Sequence, residues 1–336
     1  MGILKVKTIE THTGGEPTRI VLSGLPPIPG ASMPEKMAYL DEHYNWLRSG
    51  LMNEPRGHKD MFGAFVLEPT LPEADFGVVY MCGDCYENMC GHGTIGFSVA
   101  AVECGLVEAK EPETKLCIET PAGLIRITVQ VKDGHAERVD FVNIPAFVHQ
   151  EDVVLDVPTL GKVRFDLCFG GNFYAIVRAE DIGVPDIDPA NASLIIEQAM
   201  KLRRVIDAEL PLRHPTMPHI TWLEGIQVIG PPKSEDADAQ CCIVFGDGKI
   251  DRSPCGTATS SRLALEHAKG RLAVGERFVN ESIVRSRFTG TVLEEVQVTP
   301  EIRGIVPMIS GTAYVIAQDE FLFDDRDPLR EGFVLG

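Results

Sequence analysis

Met89-Cys90-Gly91-His92-Gly93-Thr94-Ile95-Gly96 and Pro254-Cys255-Gly256-Thr257-Ala258-Thr259-Ser260 decide the reading of the fold, because the second stretch repeats the first. With Cys90 laid on Cys255, an offset of 165 residues, Gly91 falls on Gly256, Thr94 on Thr259 and Gly105 on Gly270. Between the last two pairs each copy runs through small and apolar residues that suit a helix. Gly105 at the far end of the first copy suits a left-handed cap. The offset is close to half of the 336 residues, so the repeat predicts two similar halves. Each half carries one cysteine at the start of a helix, over about 93–104 and about 257–269.

Outward from the motifs, alternation predicts strands at 3–10, 19–22, 61–67, 76–81, 115–120, 123–131 and 137–144 in the first half. After Pro145 the expected strands are 163–169, 173–178, 225–229, 241–246, 276–287, 290–299 and 312–317. Two further helices are expected at 33–49, opening on Ser32-Met33-Pro34-Glu35, and at 190–209. Strands far outnumber helices, and one helix directly follows each cysteine. This pattern implies α+β halves and not a parallel doubly wound sheet.

The composition, 44% hydrophobic and 24% charged with no low-complexity tract, is that of a soluble globular protein. A net charge of −18 argues against nucleic acid and anionic membrane as partners. There is no run of 18 apolar residues, and Met1-Gly2-Ile3-Leu4-Lys5-Val6-Lys7-Thr8 has no secretory pattern. Nine cysteines, an odd number in a long chain, imply reduced thiols in a cytoplasm, most of them buried and inert.

Three readings of the motifs stand side by side. Gly91-His92-Gly93-Thr94-Ile95-Gly96 fits the G-x-G-x-x-G dinucleotide pattern, which would make the protein a nucleotide-dependent oxidoreductase. The second copy keeps Cys-Gly and loses the later glycines, so the cysteine is the shared feature. Cys82-x-x-Cys85 with Cys90 could be a thiol redox or zinc site, although no second close pair of ligands sits at the usual spacing. Cys241 and Cys242, adjacent in a strand, should point to opposite faces. The third reading starts from the helix N-terminus, whose unpaired N–H groups stabilise a thiolate and a bound carboxylate. Two such thiols facing one pocket could take a Cα proton from one face of an amino acid and return one to the other, with no cofactor. The plain alternative is two unrelated buried cysteines. Histidines 12, 58, 92, 214 and 219 fall in loops, and only His92, beside Cys90, is a site candidate. Asp251 is either a turn residue or a group that meets a substrate ammonium.

At these residues the chain resembles the proline racemase family, which has the diaminopimelate epimerase-like fold. The resemblance spans nearly the whole chain through His12-Thr13-Gly14-Gly15-Glu16-Pro17-Thr18-Arg19, Glu54-Pro55-Arg56-Gly57-His58, Asp60-Met61-Phe62-Gly63, the two cysteine motifs with Asp251-Arg252-Ser253 before the second, and Asp327-Pro328-Leu329-Arg330-Glu331-Gly332-Phe333. It implies two pseudo-symmetric lobes of mixed or antiparallel sheet, each around a central helix, with the active site in the cleft between them. The expected lobes are 1–128 with 300–336, carrying Cys90, and 129–299, carrying Cys255. The resemblance makes Cys90 and Cys255 the acid/base pair and sets the backbones of Gly91, His92, Gly256 and Thr257 around the substrate carboxylate. Asp251 would face the substrate nitrogen. It implies a small-molecule substrate, a homodimer, and no metal, pyridoxal phosphate or nucleotide. The family includes proline racemases, 4-hydroxyproline 2-epimerases and 3-hydroxyproline dehydratases. Typical dehydratases carry threonine where this chain has Cys255, so the thiol favours a racemase or epimerase. Phe62 and Phe245 match bulky positions of proline racemases, and an aromatic wall would exclude a ring hydroxyl. Two departures stand out: Cys82-Gly83-Asp84-Cys85-Tyr86-Glu87 replaces a glycine-rich approach to Cys90, and Ala258 stands where glycine is usual.

Overall fold

The computed structural model describes residues 2–218 and 220–335, so His219 lies outside the described residues. The chain divides into two compact units, Met1–Phe141 with Thr312–Gly336, and Val142–Gly311. These boundaries fall later than the expected 128/129 and 299/300. The first unit retains the antiparallel partner of its strand at 123–132, and the second runs on through the strand Arg303–Gly311.

In the first unit the order is β1 (Ile3–Thr13), β2 (Glu16–Val21), α1 (Met33–Met52), β3 (Phe62–Leu67), β4 (Phe76–Cys82), β5 (Tyr86–Glu87), α2 (Gly91–Glu103), β6 (Glu113–Thr120), β7 (Gly123–Lys132) and β8 (His135–Val142). In the second unit it is β9 (Ala146–Val157), β10 (Gly161–Phe169), β11 (Phe173–Arg178), α3 (Ala192–Glu209), β12 (Leu223–Gly230), β13 (Ala239–Phe245), β14 (Lys249–Asp251), α4 (Gly256–Ala268), β15 (Arg277–Glu281), β16 (Arg287–Gln297) and β17 (Arg303–Gly311). The last strand, β18 (Ala313–Asp324), belongs to the first unit.

Pairing shows why the sequence repeats. In the first unit β18, β1 and β2 are antiparallel, β2 runs parallel to β3 through α1, β3 is antiparallel to β4, and β4 runs parallel to β6 through α2. Antiparallel β6, β7 and β8 complete this sheet. The second unit repeats that order with β9, β10, β11, α3, β12, β13, α4, β15, β16 and β17. There β17 pairs back onto β9 at Gly304↔Phe147, which closes the sheet around α4. The short strands β5 and β14 turn back on β4 and β13 and lead into the two helices. This is the expected α+β architecture, with mixed sheets around one central helix in each unit.

Burial explains which helices are central. Every residue of α2 from Gly91 to Val102 is buried, and α4 is buried from Gly256 to Ser261. Helices without a solvent face belong in a core. By contrast α3 buries only Ile195, Ala199, Leu202 and Ile206, one face at helical spacing. The expected glycine cap is present twice. Gly105 and Gly270 adopt φ +70 and +69, a region open to glycine at little cost. Their N–H groups donate to Val102 O at 3.3 Å and His267 O at 2.9 Å.

Two long strands escape the sequence pattern, as do the short β5 and β14. In β9 the polar run His149-Gln150-Glu151-Asp152 breaks the apolar alternation. In β17 Pro307 argues against a strand, yet it sits opposite Val292 beside a register shift between Val292 and Glu294, where a bulge absorbs the missing N–H. The single strand expected at 276–287 ends as β15 at Glu281, and a turn follows in which the Ser282 N–H donates to Ser286 O at 2.8 Å. No helix among the described residues is long and apolar enough to cross a membrane.

Helix α4 leaves no room above Gly170. A Cβ there would lie 2.4 Å from both Ser261 N and Thr257 O, which are helix backbone and cannot swing away. Gly170→Ala should therefore destabilise the protein by about 3 kcal/mol or more, toward the upper end of overpacking. Urea unfolding checks this, and an unchanged midpoint would show that the helix can shift at little cost.

Candidate active site

In the first unit the strand β5 delivers the chain to Cys90, the N-cap of α2, in an extended conformation (φ −136, ψ 118). The thiol is buried, and its Sγ lies 3.4 Å from His92 Nδ1 and 3.6 Å from Nε2. Burial pushes the His92 imidazole down to about 3, so at neutral pH the ring is uncharged with one N–H to donate. The motif is braced by hydroxyls: Thr94 Oγ1 donates to Cys90 O at 2.8 Å and meets the Tyr80 hydroxyl at 2.7 Å, while Thr13 Oγ1 donates to His92 O at 2.9 Å. Phe62, at the start of β3, packs edge-on against the His92 ring at 4.7 Å.

In the second unit Cys255 is the N-cap of α4 and is only half-buried. Its backbone has φ +60 and ψ 122, a strained conformation for a residue with a side chain. Strain of this kind persists where the surroundings over-determine it, often at functional sites. Here the Cys255 N–H donates to Ser253 Oγ at 3.1 Å, and the Ser253 N–H donates to Asp251 Oδ1 at 2.7 Å. The Cys255 Sγ lies 3.4 Å from Thr257 Oγ1 and 3.6 Å from the Tyr174 hydroxyl, and the two hydroxyls meet at 2.8 Å. Burial, and then the negative charge of Asp251, push the Cys255 thiol up to about 12. Phe245 ends β13 on the hairpin that carries Asp251.

The two sites share one plan. Each thiol has a hydrogen-bonding side chain two residues on, His92 in one unit and Thr257 in the other. Each helix exposes first-turn N–H groups that have no intrahelical acceptor. Those groups and the positive helix end favour an anion beside the thiol. The sequence points to the backbones of His92 and Thr257, and the structure also sets their side chains beside the sulfurs. Tyr80 and Tyr174 carry no sign in the motifs, since each comes from a strand whose proximity only the fold reveals, whereas Ser253 stands inside the second motif.

The other motif residues resolve into structure. A Cβ on Gly93 would meet the Tyr80 ring at 2.8 Å, and one on Gly96 would meet Thr11 Oγ1 at 2.7 Å. These glycines let α2 approach the strands beside it, so packing accounts for the last two glycines of the G-x-G-x-x-G pattern. Arg19 pairs with the buried Glu10 at 2.9 Å and also donates to the carbonyls of Leu51 and Arg56. It ties β2 to the end of α1 and to the loop after it. His12, His58 and His214 each accept a backbone N–H through Nδ1, from Gly15, Asp60 and Met217. Cys242 packs in the main core of the second unit, and Cys241 Sγ contacts Pro254 O at 3.6 Å.

Asp251 gives a pH signature. Burial raises its carboxyl to about 6 from an ordinary 3.8. Between those values the folded protein keeps a proton that the unfolded chain has lost, so stability falls as pH climbs through that window, and the loss persists above it. Asparagine at this position keeps an oxygen for the Ser253 N–H and carries no charge. Asp251→Asn should therefore stabilise the protein by roughly 1–3 kcal/mol at pH 7 and by little at pH 4. Thermal melts at the two pH values check this, and an equal shift at both would remove the carboxylate as its cause.

The proline racemase family model matches residues 8–334. A proline racemase of Clostridioides difficile is 48% identical over 330 residues, 98% of each chain. A 3-hydroxyproline 2-epimerase of Burkholderia multivorans is 40% identical over 98% of each chain. The crystal structure of a hydroxyproline epimerase from Agrobacterium vitis with bound trans-4-hydroxy-L-proline superposes with a TM-score of 0.91 at 32% identity, covering 99% of this chain and 95% of that one.

Proposed function

This chain belongs to the proline racemase family and is an amino-acid racemase or epimerase; from that premise we propose that it interconverts L- and D-proline through Cys90 and Cys255, without a cofactor. One observation carries the proposal: each unit sets a cysteine at the N-cap of its buried central helix, at the same place in a repeated topology. The reaction requires both thiols to reach one substrate Cα from opposite faces. One thiolate takes the Cα proton, and the opposite thiol delivers its own proton to the other face. After inversion the two sulfurs have exchanged protonation states, so the reverse reaction starts from the form that the forward one leaves.

The flanking groups have stated tasks in this scheme. The N–H groups of Gly91, His92, Gly256 and Thr257 hold the substrate carboxylate. The Asp251 carboxylate meets the ammonium, and that cation offsets the negative charge which holds the Cys255 proton in place. Neutral His92 donates to the Cys90 sulfur when it carries charge. Phe62 and Phe245 favour proline over a hydroxylated ring, and Cys255, where dehydratases of the family typically carry threonine, favours inversion over loss of water. The second reading, 4-hydroxyproline 2-epimerase, uses the same sulfurs on a different ring, and the Agrobacterium vitis relative favours it. Polarimetry with L-proline beside trans-4-hydroxy-L-proline tests the proposal. Loss of rotation from L-proline supports it, and inversion of the hydroxylated substrate alone overturns it.

A further inference from the structure

The turn between β4 and β5 carries chemistry that the reaction does not use. Cys82 and Cys85 are free thiols whose sulfurs lie 3.2 Å apart. With the Glu87 carboxylate they place three donor atoms within 4.8 Å of one another. The Cys82 thiol donates to Asp84 Oδ1 at 3.0 Å, which adds a second carboxylate to the turn. Sequence spacing offers Cys82, Cys85 and Cys90 and gives no sign of Glu87. Pairing of Tyr80 with Glu87 across the hairpin brings up the third donor.

The turn is preorganised by its surroundings. The Cys82 N–H donates to Cys85 O at 2.9 Å, Arg48 donates to Cys82 O at 2.7 Å, and Asn53 Nδ2 donates to Gly83 O at 3.0 Å. Cys85 is exposed, so an ion has a path in.

We propose that Cys82, Cys85 and Glu87 bind one thiophilic divalent cation of the zinc class, with Asp84 or a water as fourth ligand. Two thiolates and a carboxylate suit zinc, whereas calcium and magnesium prefer oxygen alone. Tetrahedral zinc with bonds of about 2.3 Å to sulfur places its sulfurs about 3.8 Å apart, so the pair must open by only about 0.6 Å. A disulfide would join the two sulfurs without drawing on the Glu87 carboxylate as a ligand. Binding displaces the two thiol protons into solvent, and the cation ties the turn that leads to Cys90 without entering the reaction.

The test uses the full chain, stripped with a chelator and titrated with Co2+, and needs no substrate, so it is independent of the racemase assignment. One equivalent should give thiolate-to-cobalt absorption and the visible bands of a tetrahedral site, both removed by Zn2+. Cys82→Ser and Cys85→Ser should each abolish the signal, Glu87→Gln should weaken Co2+ binding about tenfold, and Cys90→Ser should leave the signal intact. The far-ultraviolet circular dichroism of Cys82→Ser should match that of wild type, which shows that the variant folds. No absorption, absorption that survives Cys82→Ser, or a two-dalton mass loss that marks a disulfide in place of cobalt binding would each overturn the proposal.

Discussion

Cys90→Ser should abolish racemisation, and Cys255→Ser should do the same, each lowering kcat by about 10²–10⁴-fold or more with the fold retained. A serine hydroxyl ionises far above the working pH, so it cannot act as the thiolate base, and in the reverse direction it is a poor proton donor. Neither sulfur should stand in for the other, because the proposed reaction sets each on a different face of Cα. Stability should change little, since serine is a favoured N-cap and cysteine makes no side-chain cap bond at either helix. Exchange of the Cα hydrogen in heavy water gives a sharper readout than rotation. With one thiol left, each variant should exchange only one enantiomer without inverting it, and the two variants should choose opposite enantiomers. Near wild-type turnover in both directions by either variant would remove the two-base assignment.

Much of this was legible in the sequence, because the governing signals are local. A cysteine followed by glycine and a small-residue helix needs no distant partner to be recognised, and neither does a glycine that caps a helix. That is why α2 and α4 stand where the repeat placed them, each one or two residues earlier at its start. What stayed hidden depends on distant pairing. The strain at Cys255 arises from a chain of contacts through Ser253 and Asp251, and the pattern Asp251-Arg252-Ser253-Pro254-Cys255 does not announce it. Tyr174 is 81 residues from Cys255 in sequence and 3.6 Å from its sulfur in space. The strand β17 was hidden by its proline, and β9 by its charges, until the partner strands supplied the bulge and the register. The asymmetry between the thiols was equally hidden, since a buried carboxylate beside one and a neutral imidazole beside the other are tertiary facts.

Proline should be used about tenfold to a hundredfold better than trans-4-hydroxy-L-proline in kcat/KM. The two substrates differ by one hydroxyl. If Phe62 and Phe245 line the ring, that hydroxyl loses water and gains no partner, at roughly 1–3 kcal/mol on protein scales. One decade of rate corresponds to about 1.36 kcal/mol, which sets the expected range. The two phenylalanines are placed differently. Phe62 also packs against His92, so changing it disturbs the partner of Cys90. Phe245, at the end of β13 and nearly buried, is the cleaner probe. Phe245→His should narrow the gap between the substrates, because the smaller ring frees volume and its nitrogen offers the hydroxyl a partner. Loss of activity on both substrates in equal measure would instead make Phe245 a core residue outside the pocket. Equal or better use of the hydroxylated substrate by the wild type would sink the choice of proline and leave the paired cysteines standing, because nothing in the proton transfer at Cα depends on what the far side of the ring carries.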